Sequence, residues 1–399
     1  LKSSQSYLII GGGLVGLATA MRIQERFPSA SITLLEKEDQ VGRHQSTHNS
    51  GVLHAGLYYA PGSAKAKLAV SGIKQMTKFC QAENIAHEIC GKLVVAVTED
   101  ELPRLEELYK RGVQNGLTGL KKFDRKQIKQ REPYVNGIAA VYVPEEGIID
   151  YRHVCDRLVE MITDKGGQIT TGAKVTKLQF TNGAWLASTK NNEYKGNFLI
   201  NCAGLYCDHI AEIAGEKSDI KIIPFRGEYF KLKPVAEHLV KHLIYPVPNP
   251  SFPFLGVHFT RMIHGGIEAG PNAVLAFARE GYRLSSINPN ELIESLMYPG
   301  LWRFLQKYPS MAFSELLQSF SKDRFCKSLQ RLIPDIRVDH LEQGHAGVRA
   351  QAMSSNGDLV SDFALVRGTQ SIHVLNAPSP AATASLAIGQ YIIAQLCDK

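Results

Sequence analysis

Long apolar runs are the first thing missing: nowhere in the 399 residues is there an uninterrupted apolar stretch able to span a bilayer. Leu1 to Ser6 hold no apolar core of a secretory signal, and a start at Leu leaves room for an upstream tag or leader. Cys80, Cys90, Cys155, Cys202, Cys207, Cys326 and Cys397 form no Cys-x-x-Cys pair. An odd count of seven argues against a disulfide framework and for a reducing compartment. The missing redox pair also sets aside disulfide-reductase chemistry. Internal repeats and low-complexity tracts are absent. Charge of one sign is scarce too: a scattered net +7 is too mild for nucleic acid. It suits an anionic substrate, a weak contact with an anionic membrane surface, or simply a solubilising exterior. A cytoplasmic protein, with peripheral contact at the cytoplasmic membrane face, is the expectation.

What is present is an ordinary core composition, 44% apolar and 21% charged, in a chain long enough for two domains. Tyr7 to Ile10 reads as a buried parallel strand running into three glycines. Leu14, Leu17, Ala18, Met21 and Ile23 then keep a helical period to Phe27-Pro28, and Ser31 to Leu35 is a second strand. That is a complete βαβ unit. Asn197 to Cys202 and Ser371 to Leu375 read as further strands of the same layer, the latter leading into a helix from Ala381 to Leu396. A proline beside that helix start is well placed, since its missing N–H would be unpaired there. Between these pieces, Lys92 to Thr98, Phe225 to Leu232 and Phe254 to Ile263 read as strands of a mixed sheet. Glu99 to Asn115 reads as an amphipathic helix, and Asn288 to Leu332 as largely helical.

The spacing Gly11, Gly13, Gly16 is a Gly-x-Gly-x-x-Gly fingerprint between a strand and a helix. The first glycine permits the tight turn, the second lets backbone approach a pyrophosphate, and the third lets helix and strand pack closely. The helix start, with Leu14 and Val15, offers N–H groups and a positive dipole end to phosphate. Glu36 follows about 20 residues after Gly16, where a carboxylate accepts from a ribose 2′-OH and repels a 2′-phosphate. A dinucleotide other than NADP follows.

Directly after comes Gly42 to Gly56, dense in small hydrogen-bonding residues and suited to wrapping a long cofactor. Here the chain resembles the D-amino-acid-oxidase-like FAD superfamily and, within it, the L-2-hydroxyglutarate dehydrogenases and oxidases. The likeness rests on His48-Asn49-Ser50-Gly51-Val52 with His54, Glu145-Glu146-Gly147-Ile148-Ile149-Asp150, and Arg226-Gly227-Glu228-Tyr229-Phe230. It continues through Tyr245-Pro246-Val247-Pro248, Leu255 to Arg261, Gly270 to Ala276, Gly344 to Gln351 and Asn376 to Thr383. His264 departs from it, at a turn where an acidic residue is expected. The resemblance implies an α/β fold: a Rossmann-like FAD domain, discontinuous in sequence, beside an α+β mixed-sheet substrate domain. The expected FAD domain is 1–75, 140–215 and 335–399; the substrate domain is 76–139 and 216–334, with a helical insertion near 288–332. FAD, held non-covalently, is expected against Gly11, Gly13, Leu14, Val15, Gly16, Glu36, Lys37, Gln45, Ser46, Asn49, Ser50, Gly51 and Val52. Val175, Ala203, Gly204, Gly347, Pro378, Ser379, Ala381, Ala382 and Thr383 complete that set. The last turn would place helix-start N–H groups near N1 and O2 of the flavin.

The chemistry the resemblance implies is oxidation of L-2-hydroxyglutarate to 2-oxoglutarate, with electrons passed to a quinone or another acceptor. Removing the hydroxyl proton asks for a base near neutrality, and histidine is the natural choice. Of the thirteen histidines, His54 ranks ahead of His258 by position. A small dicarboxylate asks for guanidinium groups. The resemblance gives that role to Arg349, and Arg261 stands three residues from His258. Tyr58, Tyr59 and Tyr282 are candidate phenolic donors, while Arg226 in Arg-Gly-Glu suits a structural ion pair. A D-amino-acid or secondary-amine oxidase on the same scaffold is the rival reading, and a non-catalytic flavoprotein is another.

Overall fold

The computed structural model describes residues 5–249, 255–283, 285–309 and 321–397. The strands Ser6–Ile10 and Ser31–Leu35 pair in parallel, with Ile10 opposite Leu35, and enclose the helix Leu14–Arg26. Phe198–Asn201 flanks the first strand on its other side, followed outward by Ser371–Asn376 and Ala364–Gly368. Gln168–Thr170 closes the opposite edge, making six strands, parallel except for the hairpin Ala364–Gly368/Ser371–Asn376. The C-terminal helix Ala381–Cys397 packs between the helices Leu14–Arg26 and Ala64–Ala82 on one face. A three-stranded antiparallel sheet, 177–196, covers the other through Leu178, Trp185 and Ala187 against Leu8, Leu35 and Leu199. Burial on both faces is what a continuous apolar run such as Tyr-Leu-Ile-Ile requires.

The second layer is a larger mixed sheet. Its spine is the antiparallel pair Ile220–Leu232 and Leu341–Ser354, extended through Ile267–Gly270, His258–Arg261, Leu243–Pro246, Lys92–Ala96, Ala139–Val143 and Lys121–Asp124. One buried cluster joins Ile9 and Ile200 of the first sheet and Leu17 of its helix to Val94, Val141 and Tyr245 of the second, so the two share a core. The helices Pro289–Met297, Pro299–Lys307 and Lys322–Gln330 lie in the expected insertion; 310–320 fall outside the described residues. The expected strand from Phe254 is described from residue 255 and is regular over His258–Arg261. The expected helix at Glu99 opens as a 3-10 turn, with the α-helix at Leu102–Gln114.

Three of the expected boundaries differ from the strand pairing. Residues 140–143 of the strand Ala139–Val143 and all of Leu341–Ser354 fall in the expected FAD range, yet both strands belong to the large sheet. Sequence order does not encode pairing: the first completes an antiparallel pair with Lys92–Ala96, the second with Ile220–Leu232. A boundary at 75/76 also cuts the continuous helix Ala64–Ala82, which packs as one piece on the C-terminal helix.

Candidate active site

The strands Ser6–Ile10, Ser31–Leu35 and Phe198–Asn201 all point their carboxyl ends at one cavity, which is where open α/β sheets bind ligands. At about 1330 Å³ it exceeds the roughly 300–1,000 Å³ of a drug-sized site and runs from the glycine turn to the large sheet. Gly11 holds φ +108°, and a Cβ there would meet the Cys202 carbonyl oxygen at 2.3 Å. A Cβ on Gly16 would meet the Gly11 carbonyl oxygen at 2.0 Å. Gly16 therefore shapes the cavity through helix–strand contact without lining it. Glu36 is buried at the cavity wall; Oε2 accepts from the Gly12 N–H at 2.7 Å and Oε1 from the Glu38 N–H at 3.0 Å. Ser46 Oγ accepts from the Leu14 N–H at 2.9 Å, tying the wrapping loop to the helix start. Gly51, at φ +60° with the Ile149 carbonyl oxygen 2.8 Å from a would-be Cβ, likewise makes a turn and does not line the cavity.

Every other expected cofactor contact lines this cavity, from Leu14, Val15, Lys37, Gln45, Asn49 and Ser50 through Val175, Ala203, Gly204 and Gly347 to the turn Pro378–Thr383. Thr383 Oγ1 lies 2.8 Å from the Tyr151 hydroxyl and accepts from the His54 N–H at 3.2 Å, fastening the C-terminal helix to the Val52–His54 segment. Lys37 is engaged by Glu38 and Glu280, beside His44, whose Nε2 lies 2.8 Å from Glu280 and Nδ1 2.9 Å from the Tyr282 hydroxyl. Burial opposes protonation of His44, but Glu280 and Glu38 outweigh it and raise its pKa. Two groups with metal-ligand spacing each hold a cation of the protein itself: Lys37 at Glu38–His44–Glu280, and Arg279 at Asp208–His209–Glu294.

At the far end His54, His258, Tyr59 and Arg349 line the same cavity. His258 Nδ1 sits 3.0 Å from the Gly256 carbonyl oxygen, and its ring stacks on Tyr245 at 3.8 Å. Burial, with Lys92, Arg349 and His54 nearby, pushes His258 down to about 3, so it is neutral, with Nδ1–H donating to Gly256. His54 is lowered as well, chiefly by burial, and its Nδ1 lies 3.5 Å from Glu146 Oε2. Lys65, absent from the expected set, also lines the cavity with its ammonium 4.7 Å from the Tyr59 ring centroid; burial lowers it to about 8. Tyr58, Tyr229 and Tyr245 add buried phenols.

Two expected substrate contacts are elsewhere. Arg261 pairs with Glu88, away from the cavity. Strand side chains alternate faces, so an offset of three from His258 turns Arg261 the other way. Tyr282 does not line the cavity either; it packs against His44 and His48 beside the Lys37 cluster. Arg226 is buried in an ion pair with Glu228 at 2.9 Å, and His264 faces Asp150 at 2.9 Å. Glu146 and Lys92, not singled out from sequence as site residues, are both wholly buried behind His54. Glu146 belongs to the family-like stretch Glu145 to Asp150; Lys92, at the head of an alternating strand, carries no local signal.

Residues 6–395 match the FAD-dependent oxidoreductase family. The chain belongs to that family. Fit to FAD does not rest on the match alone: the glycine turn leaves no room for a Cβ, and the wrapping loop and last helix start close one continuous cavity. This flavoenzyme chain is 51% identical over 383 residues to an L-2-hydroxyglutarate dehydrogenase of Indibacter alkaliphilus, covering 96% of each chain. It is 44% identical to the mitochondrial L-2-hydroxyglutarate dehydrogenase of Caenorhabditis elegans, over 98% of this chain and 93% of that one. Among solved structures, the FAD-bound L-α-glycerophosphate oxidase of Mycoplasma pneumoniae superposes with a TM-score of 0.78 at 23% identity, covering 100% of this chain and 96% of that one.

Proposed function

We propose that the chain oxidises L-2-hydroxyglutarate to 2-oxoglutarate at the far end of this cavity, with FAD along the rest of it. The observation that carries the reading is that two cations, Lys65 and Arg349, line the same cavity as two histidines held neutral by burial. Arg349 grips the carboxylate beside the reacting carbon, and Lys65 meets the distal one in place of the misassigned Arg261. His54 Nε2 accepts the hydroxyl proton, because a carboxylate stands behind that ring to stabilise the imidazolium. His258 has only a carbonyl behind it and cations around it, so it stays a neutral ring and is the poorer base of the two. When bound, FAD supplies the two-electron acceptor for the hydride that leaves the α-carbon. The buried phenols of Tyr59 and Tyr245 keep water out and stay protonated.

A quinone or another carrier then takes the electrons. No helix among the described residues is long and apolar enough to cross a membrane. Met297 and Trp302, 77% and 52% exposed, lie with Ile293 and Leu296 on the helices Pro289–Met297 and Pro299–Lys307 and give a peripheral membrane contact a place. Flotation with anionic vesicles, with and without Met297→Ser and Trp302→Ser, tests that contact: no binding by either protein discards it. The substrate reading is tested by kcat/KM with a dye acceptor across 2-hydroxyglutarate enantiomers, lactate, glycine and proline. A preference of at least about tenfold for L-2-hydroxyglutarate over lactate is expected from one charge-assisted contact. Faster turnover of an amine would favour the amine-oxidase rival, and no turnover of any would favour a non-catalytic flavoprotein.

A further inference from the structure

We propose that Glu146 and Lys92 are positioning residues: they hold the His54 ring with a proton on Nδ1 facing the carboxylate and the Nε2 lone pair facing the cavity. This rests on reading His54 as the base. Glu146 Oε1 accepts from the Ala55 N–H at 3.0 Å, which fixes the carboxylate to the backbone one residue past the histidine. Oε2 faces His54 Nδ1 at 3.5 Å and forms an ion pair with Lys92 Nζ. An ionised carboxylate has no proton to donate, so the facing Nδ1 carries the hydrogen and Nε2 is left as acceptor. Nδ1 is itself inaccessible, whereas the side chain as a whole is 20% exposed, so the accessible edge of the ring is the other one.

A pair of wholly buried charges is a poor device for stability, because desolvation consumes most of the attraction and apolar replacements are often as stable. Its place directly behind a cavity histidine gives it a different use. Lys92 is also held between aromatic faces, 4.7 Å from the Tyr58 ring centroid and 4.5 Å from that of Tyr245. Burial would favour protonation of Glu146, but Lys92 and His54 outweigh it and hold the carboxyl at about 2. The charged or titratable groups facing His54 are Glu146, Lys92, Lys65 and His258, with Arg349 beyond His258; the Tyr58, Tyr59 and Tyr245 phenols stay protonated. Glu146 stabilises the imidazolium once Nε2 has taken the substrate proton. Burial, with Lys92 beside it, keeps the resting ring neutral and therefore able to take it.

The test uses the FAD-loaded enzyme with Glu146→Gln, Lys92→Met and the double variant, which leaves no unpaired buried charge. Anaerobic flavin reduction by L-2-hydroxyglutarate is expected to slow about 100-fold in Glu146→Gln and in the double variant, the scale of a misaligned general base. Binding of 2-oxoglutarate is expected to stay within about threefold in both. The acid limb of the rate profile should move down in Glu146→Gln, which loses an anion beside His54, and up in Lys92→Met, which loses a cation. A role confined to folding would not move the limbs in opposite directions. Nitrogen-15 NMR of labelled histidine, with the His54 signal identified by its loss in His54→Gln, should report Nδ1–H in the native protein and a mixed tautomer in Glu146→Gln. If the single variants fail to load flavin, the double variant decides. A native rate there, or an Nε2–H tautomer in the native protein, overturns the proposal. His54→Gln separates the two ideas: a native rate there sinks the base reading, whereas a lost rate with unaffected Glu146 variants sinks only the positioning role.

Discussion

Gly16→Ala and Gly13→Ala should damage the protein in distinguishable ways. At Gly16 an added methyl would lie 2.0 Å from the Gly11 carbonyl oxygen, a backbone atom that cannot rotate aside. Ordinary contact needs over 1 Å more, so the helix Leu14–Arg26 must slide off the strand Ser6–Ile10. Overpacking of this kind costs about 3 kcal/mol at the upper end of the usual range. Because the moved helix start is also the cavity wall, the same strain opposes the dinucleotide, and about 100-fold weaker FAD binding follows at 1.4 kcal/mol per decade. At Gly13 the methyl meets only Ser46 Oγ at 3.0 Å, a side chain able to turn. The apoprotein should then keep its melting temperature while losing FAD, since the second glycine is where backbone meets pyrophosphate. Flavin content per chain, FAD titration and thermal melts of the apoproteins read both effects. Gly16→Ala with native FAD affinity and melting temperature would refute the packing argument.

Arg349→Met and Lys65→Met should each lower kcat/KM for L-2-hydroxyglutarate by about 10- to 100-fold, the worth of one charge-assisted hydrogen bond. Lys65→Met should barely change lactate turnover, and an equal loss on both substrates would remove Lys65 from the distal carboxylate. Arg261→Ala should stay within about twofold of native kcat/KM, because its partner is Glu88 and not the cavity; a tenfold loss would restore it to the site. Stability should also fall on acidification. His258 is held neutral with a pKa of about 3 against an ordinary 6.5, so the unfolded chain binds the extra proton between those values and stability is lost as pH drops through that window. His258→Asn should flatten the melting curve between about pH 6.5 and 3; an unchanged slope counts against a buried neutral ring. The His44 contribution runs the other way, since its pKa is raised: it is complete below about 6.5 and lost as pH rises through the folded value.

The nucleotide end was legible because its signals are local. Gly11, Gly13, Gly16 and Glu36 lie within one βαβ unit, where spacing dictates geometry. His54 and Arg349 were legible only through blocks shared with a family, since nothing local distinguishes one histidine of thirteen. Arg261 lies off the site because closeness along a strand is not closeness in space: successive side chains point to opposite faces, and an offset of three separates it from His258. Lys92 meets Glu146 because Lys92–Ala96 and the Glu146 turn converge in the fold, an encounter that no sequence spacing announces. Leu341–Ser354 was assigned to the wrong layer for a similar reason: a long strand does not name its partner.

Anaerobic titration of the FAD-loaded enzyme with the two enantiomers of 2-hydroxyglutarate decides between these readings. The L-form should bleach the oxidised flavin band at stoichiometric amounts, the D-form and D-amino acids should not, and His54→Gln should stay oxidised over the same time. Flavin that is fully bound yet unbleached by the L-form, or bleached equally well in His54→Gln, would contradict it.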